Sequence, residues 1–420
     1  MWSKPFLDPL YGSIALDADL LALARTPVVQ RLRHVRLSNI DSIDMPSIAN
    51  LSRFEHVIGV AHLAGEVGFG TSLGRFDDLV LKGAALLHDW AITAFGHLVE
   101  EALQYVGASF NHENRLSEIL SGEGQDEVLG ADMQILVGRE TGIRNWARKA
   151  VGNDGERLLH SIMDHIRGRG RMGRTIAGDI DLDNIDNVHR MAFHMGLPID
   201  RQVPLRLARN IVGVVGEEGE PVFRKGSLHD IEAWRATRRD VYQHLMLAER
   251  DFAGKMMILF ATVRAYEAGE ITADDWKLVD HEFLMRLLGS NVRDVRDTVE
   301  RWIAGELWDV ISPCWMSGDR PSYPELLAFS TKVSQTLGRP CFAYGIKDKR
   351  DRRLTVTFDD GSQHALGENQ RQWLFGLGSI RRKTFTAHDI ATVSDLAGTL
   401  LGARIVKSET PNIADQASLF

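Results

Sequence analysis

The stretch Leu79–Leu87 is nearly continuous apolar sequence, and it runs directly into His88-Asp89. The run is too long for a comfortable strand and reads as a buried helix. His88 falls on the face of Leu81 and Ala84, and Asp89 lies over Ala85 and Leu86. A buried polar group left unsatisfied costs roughly 1–3 kcal/mol, and a charge costs more, so something must compensate this pair. His56 poses the same problem between Val57, Ile58 and Val60, on a helix whose start is marked by the capping-box pattern Ser52-Arg53-Phe54-Glu55. A third helix carries the stripe Leu182, Ile185, Val188, Ala192 and Phe193 before Gly196 and Pro198 stop it. Asp183 opens that helix, within the acidic run Asp179, Asp181, Asp183, Asp186.

Two imidazoles and two carboxylates from three helices can converge on one divalent ion, and mixed nitrogen and oxygen ligation suits manganese, iron, nickel or zinc. Such an ion removes the unpaired-charge penalty and lowers the pKa of bound water from 15.7 to about 7, which is hydrolytic chemistry. Cys314 and Cys341 form no CxxC pair, so a disulfide framework and a thiolate zinc site are excluded. On spacing alone, hydrogen-bonded core histidines and a helix cap at Asp183 account for the same residues, and both readings stand.

Composition narrows the class. The 420 residues are 44% hydrophobic and 25% charged with a formal charge of −8, which fits one large domain or a domain with an appendage. The acidic balance argues against a dedicated nucleic-acid binder while leaving room for a local basic pocket. Met1-Trp2-Ser3-Lys4-Pro5 has no apolar core of signal-peptide type, and no stretch approaches the roughly 18 apolar residues of a membrane span, so the expected location is cytoplasmic.

Helical periodicity dominates from about residue 14 to 310, broken by a hairpin pattern over Val212–Phe223 around Gly216-Glu217-Glu218-Gly219. The three prolines and Ser-Gly-Asp turn of 312–324 predict a linker. Beyond it Leu354, Val356 and Phe358 alternate with polar residues before Asp360-Gly361, which predicts a strand and a hairpin. The expected architecture is mainly α: a helical core over 1–311, a linker at 312–324, and a small α+β region over 325–420.

Several segments in order resemble one family. Arg53-Phe54-Glu55-His56-Val57-Ile58-Gly59-Val60, then His88-Asp89, then Asp181-Leu182-Asp183-Asn184-Ile185-Asp186 are similar to the ligand segments of HD-domain phosphohydrolases of the deoxynucleoside triphosphate triphosphohydrolase type. Asp8-Pro9-Leu10-Tyr11-Gly12, Thr26 through Arg33, and Arg239 through His244 resemble further segments of that family. The resemblance implies an HD-type helical fold in which His56, His88, Asp89 and Asp183 bind one divalent metal ion (Mn, Fe, Zn, Ni or Mg). It places His97, Glu100 and His112 in the general-acid region, with Glu100 raising the pKa of His97. Arg53 would face the substrate phosphates, and Tyr242 would contact the nucleoside.

The activity so implied is hydrolysis of a deoxynucleoside triphosphate to nucleoside and triphosphate, in a homo-oligomer. A regulatory nucleotide would bind Lys4, Gln30 and Arg33, although Arg25 replaces the acidic residue that reads guanine there. The resemblance also breaks at Ile92, where the family has a second histidine, at Leu37, and at Asn184 and Asn187, where some members carry Lys and Tyr. These departures keep two rivals open: another HD phosphohydrolase acting on a monophosphate, a cyclic nucleotide or a nucleic-acid end, and a non-catalytic nucleotide sensor. The basic clusters Lys347, Lys349, Arg350, Arg352, Arg353 and Arg381-Arg382-Lys383 read as solvated faces, with a regulatory nucleotide or a single-stranded nucleic acid as alternatives.

Overall fold

The computed structural model describes residues 5–38, 45–108, 110–113, 115, 142–247, 249–350, 353–368, 372–380 and 384–407. Three helices make the frame of the site. Ser52 caps the helix Arg53–Glu66, its hydroxyl accepting the Glu55 N–H at 3.2 Å. The helix Arg75–Leu87 places Asp77 and Asp78 in its first turn, where the helix dipole favours acid, and buries every residue from Leu79 to Leu87 except Lys82. Its amphipathic start and fully apolar end explain why the chain drives the His88 end into the core. The helix Leu182–His194 is capped by Asp181, which accepts the Asn184 N–H at 2.6 Å. The helix Arg53–Glu66 packs against both of the others, so the three carry their polar ends to one place.

Longer helices close the bundle. Leu228–Leu247 packs on Leu182–His194, and Glu249–Glu267 packs on both Leu98–Tyr105 and Arg293–Ile303. The result is a mainly α fold with small sheets, as the patterning predicts. No helix among the described residues is long and apolar enough to cross a membrane.

The strands fall into three sheets. β1 (Phe6–Asp8) and β2 (Gly12–Ile14) form a short hairpin, and β3 (Ile211–Val215) pairs antiparallel with β4 (Glu220–Phe223) across the glycine-flanked turn. Farther along lie β5 (Val310–Ser317), β6 (Cys341–Lys347), β7 (Leu354–Phe358), β8 (Gln363–Leu366), β9 (Gln372–Ser379) and β10 (Ile405–Lys407). One four-stranded sheet has the order β10-β5-β9-β6, all antiparallel. The other has the order β3-β4-β7-β8, with β4 and β7 parallel through Val222↔Thr357 and Phe223↔Phe358.

Two features of the carboxy-terminal region differ from the sequence reading. The expected linker at 312–324 is occupied by the end of β5 and the start of the helix Tyr323–Leu337. Pro313 is compatible with a strand because it falls in the register shift between Ile311 and Cys314, where no regular ladder donor is needed. The hairpin β7–β8 also extends the core hairpin through β4 rather than standing apart. The seam is apolar and close: a Cβ at Gly376 of β9 would lie 2.2 Å from the Phe252 ring, so only glycine lets that strand approach the helix Glu249–Glu267. Tyr105 reinforces it by donating to the Ala343 carbonyl of β6 at 3.2 Å.

Candidate metal centre and active-site cavity

His56, His88 and Asp183 meet at the open end of the three-helix frame. The Nε2 atoms of the two histidines are 3.2 Å apart, and Asp183 Oδ1 lies 3.0 Å from His56 Nε2 and 3.7 Å from His88 Nε2. Asp89 Oδ2 completes the approach at 3.4 Å from His88 Nε2 and 3.9 Å from His56 Nε2. The first three could hold a metal ion, each offering one ligand atom.

The surrounding bonds fix which nitrogen of each ring is free to ligate. His56 Nδ1 donates to Asp186 Oδ1 at 2.8 Å, and His88 Nδ1 donates to the Ala85 carbonyl at 2.9 Å. Both tautomers then leave an Nε2 lone pair aimed at the same point, an arrangement that needs a shared cation. The donor set of two imidazoles and a carboxylate therefore fits a divalent ion. The carboxylates favour positive charge at this point: burial pulls the His88 pKa down, yet Asp89 and Asp183 override it and hold it at about 9, so without a metal ion a proton occupies Nε2, and an ion that binds there must displace it. Burial and the neighbouring Asp183 push the capping Asp181 up to about 7.

Beneath the centre lies a buried network whose roles the sequence reading left unassigned. Arg190, wholly buried, donates to both oxygens of Asp186 at 2.8 and 2.9 Å, to Asp8 at 2.8 Å and to Glu55 at 2.7 Å. Tyr11 donates to Asp186 Oδ2 at 2.8 Å. The Asp8-Pro9-Leu10-Tyr11 segment thus holds the carboxylate that orients His56. Gly59 is the sequence signal for this contact, since a Cβ there would lie 2.1 Å from Asp186 Oδ2 and 2.2 Å from Arg190 Nη2.

Arg53, expected to face the substrate phosphates, borders the cavity with its guanidinium bonded to protein groups. Its Nη1 donates to Asp89 Oδ2, its Nη2 to the Leu37 carbonyl at 3.0 Å and its Nε to the Arg36 carbonyl at 3.3 Å. Burial opposes the Asp89 charge, but Arg53 and His88 hold the carboxyl well below the usual range. Arg53 positions Asp89 at the edge of the centre while still bordering the cavity.

His97, Glu100 and His112 form a second cluster on the wall. One carboxylate oxygen, Glu100 Oε2, accepts from His97 Nδ1 and from His112 Nδ1, both at 3.0 Å. Glu100 is nine-tenths buried and, despite that, held far below the usual carboxylate range by the two imidazoles. The expected rise in the His97 pKa does not occur: burial, with Arg53 and His112 nearby, outweighs Glu100 and lowers it. Burial also opposes the charged form of His112, but there the Glu100 bond prevails and the pKa is raised. His97 reaches its place through a left-handed turn at Phe95 (φ 55°) and Gly96 (φ 65°). A non-glycine residue there costs about 1–3 kcal/mol. Asp280 steadies the turn by accepting the Phe95 N–H at 2.7 Å, while Arg36, itself 2.9 Å from Asp280, lies 4.5 Å over the Phe95 ring.

A cavity of about 420 Å³ joins these groups, lined by Arg53, His88, Asp89, Asp183, His97, His112 and Tyr242 among others. That volume is in the range of small-molecule sites. Tyr242 faces it with its ring under the Arg238 guanidinium, 4.7 Å away, and Ile92, the departure from the family pattern, is buried in the core and accepts Arg31 Nη2 on its carbonyl at 2.9 Å. Gln30 and Arg33 lie outside the cavity lining; Gln30 donates to the Ala24 carbonyl at 2.7 Å and accepts from Arg33 at 3.4 Å. Lys4, Arg352 and Arg381-Arg382-Lys383 lie outside the described residues.

The helices that carry this centre coincide with a known family. The HD domain model matches residues 53–191, which begin three residues before His56 and end beyond Asp183. Over those residues the chain is similar to the HD domain. Relatives among known proteins extend the likeness beyond those residues. Deoxynucleoside triphosphate triphosphohydrolase SAMHD1 of Xenopus laevis is 26% identical over 272 residues, covering 57% of this chain and 43% of the relative. Its counterpart in Danio rerio is 27% identical over 285 residues, covering 57% and 42%. An uncharacterized protein of Methanocaldococcus jannaschii is 21% identical over 300 residues, covering 71% and 58%. The chain thus spans less than two thirds of the length of these relatives. The HD domain supplies the centre, but the cavity has a second wall from beyond it, where Lys255, Arg320, Tyr323, Tyr344, Lys347 and Lys349 lie. Lys347 and Lys349 were read on the sequence as part of a solvated basic cluster, whereas Lys255, Arg320, Tyr323 and Tyr344 were not singled out, because they come from separate elements with no local motif.

Proposed function

We propose that the protein is a metal-dependent phosphohydrolase whose substrate is a deoxynucleoside triphosphate, cleaved to nucleoside and triphosphate. The observation that carries this reading is the convergence of two Nε2 lone pairs and the Asp183 carboxylate at the edge of a nucleotide-sized cavity, with a proton-bearing cluster on its wall. The relatives named as triphosphohydrolases support the substrate class.

His56, His88 and Asp183 would hold the divalent ion, with Asp89 beside them, and when bound it supplies Lewis-acid polarisation of a phosphate oxygen. The chain's own groups do the rest. Asp186, gripped by Arg190 and Tyr11, keeps the His56 ring oriented. In the reaction a water oxygen bonds to the α-phosphorus as the bond from that phosphorus to the 5′ oxygen breaks. The leaving oxygen takes a proton from the His97–Glu100–His112 cluster, in which His112 is the member whose proton affinity the Glu100 carboxylate raises. Tyr242 and the apolar lining offer a face for the nucleoside. The occupants proposed for Gln30, Arg33 and Lys4 remain a regulatory nucleotide, and assembly into a homo-oligomer is proposed with it.

The test is product analysis. Purified protein is incubated with each deoxynucleoside triphosphate, singly and mixed, under manganese, magnesium or iron. Release of nucleoside with tripolyphosphate is the expected result, and changing His88 and Asp89 together to Ala abolishes it. Release of single phosphate assigns a different HD-type reaction, and binding without turnover assigns a sensor.

A further inference from the structure

The cavity raises a charge question that the HD domain does not answer. Among its lining residues within 53–191 the one Lys or Arg is Arg53, and it is committed to Asp89 and two backbone carbonyls. A nucleoside triphosphate brings several negative charges, and one divalent ion offsets only part of them. The remaining cations on the lining come from residues 255 to 349.

One of those is already matched. Lys255, 2% exposed, lies 3.1 Å from Glu101 Oε2, and Tyr344 donates to the same oxygen at 2.8 Å. Burial raises the Glu101 pKa, but Lys255 and Lys349 override it and keep the group ionised. Arg320, Lys347 and Lys349 make no ion pair among the described residues. Asp348, between the two lysines, is turned to Arg350 at 2.9 Å and to Gln372 at 2.9 Å, so it does not neutralise them. The Arg320 guanidinium is stacked 4.1 Å over the Tyr323 ring, and its Nη1 is buried without a hydrogen-bond partner. A stacked guanidinium with an unused donor is preorganised for a phosphate oxygen. Against the four cations Lys255, Arg320, Lys347 and Lys349, this part of the lining sets two carboxylates, Glu101, which acts on both Lys255 and Lys349, and Glu113, which acts on His112, so the wall keeps an excess of positive charge.

We infer that Arg320, Lys347 and Lys349 form a polyphosphate-binding wall, supplied by the carboxy-terminal region, which grips the phosphate tail of the nucleotide while its α-phosphorus lies at the HD centre. The inference rests on the nucleotide-hydrolase reading for its choice of ligand. The cavity volume of about 420 Å³ and the acidic chain favour a single nucleotide over a nucleic-acid strand.

The experiment titrates inorganic tripolyphosphate into the full chain by calorimetry, alongside steady-state kinetics on deoxynucleoside triphosphates. The Lys347→Gln/Lys349→Gln variant changes two exposed side chains and is expected to fold. It should bind tripolyphosphate at least about tenfold more weakly, the equivalent of ~1.4 kcal/mol, and raise KM more than it lowers kcat. Arg320→Lys keeps the charge but loses the fork, and its affinity should fall between wild type and Arg320→Gln. Unchanged tripolyphosphate affinity and unchanged KM in the folded double variant overturn the inference. So does a variant that loses affinity only for single-stranded DNA. If the wild type turns over no nucleotide yet tripolyphosphate binding falls in the variants, the wall stands and the hydrolase reading fails. If turnover is robust and the variants match wild type, the reverse holds.

Discussion

Glu100 Oε2 accepts two imidazole N–H groups at once, and this single atom sets the protonation of the wall. The carboxylate raises His112 above its ordinary value, so any stability from that pair is complete below that value and is lost as pH rises through the raised one. Glu100→Gln removes the charge and should lower the His112 pKa, moving the alkaline limb of the pH–rate profile to lower pH and cutting kcat by about 10²-fold or more. A limb that stays in place assigns the proton to another group. The residue identities were readable because His56, His88 and Asp183 are polar groups on apolar helices. The direction of the His97 shift was not, since it depends on how burial competes with Glu100, and the partner of Arg53 was hidden because Asp89 is brought to it only by the crossing of two helices.

At the scale of elements, the decisive contact is the crossing of Arg53–Glu66 over Leu182–His194. Gly59 sits where these helices touch, and Asp186 and Arg190 fill the space a methyl group would need. Gly59→Ala should destabilise the protein by about 3 kcal/mol in urea denaturation, through overpacking against a buried ion pair. Displacing Asp186 also frees His56 Nδ1, so metal affinity measured by calorimetry should fall roughly tenfold or more. Retained affinity in a destabilised variant would separate packing from ligand orientation. The helices themselves were legible from capping at Ser52 and from apolar spacing, and the β3–β4 and β7–β8 hairpins from their Gly216–Gly219 and Asp360-Gly361 turns. The position of β5 was not, because Pro313 looks like punctuation until the register shift that accommodates it is seen.

For the whole molecule, the question is whether the helical core and the carboxy-terminal region fold apart. Phe252, Met256 and Phe260 of the helix Glu249–Glu267 are buried, and Phe260 meets Trp308 and Phe342 at ring-centroid distances of 5.3 and 5.6 Å. A chain ending at Gly305 would expose that face and should aggregate on size-exclusion chromatography, whereas the full chain should melt in one calorimetric transition. A soluble, monomeric truncation with native helix content would show an independent core. Sequence patterning placed a change of character near residue 312, where β5 runs unbroken from Val310 to Ser317, and it gave no sign of the parallel bond between β4 and β7, since pairing between strands so far apart leaves no local trace.

That bond has a consequence for synthesis. β4 is synthesised with its outer edge bare, and its neighbour β7 follows more than a hundred residues later. At 5–20 residues per second the interval is on the order of ten seconds, during which the nascent chain presents an open edge and lacks the far side of its cavity. A stalled or prematurely ended message would therefore yield a polypeptide with an intact set of ligands and nothing to shield them.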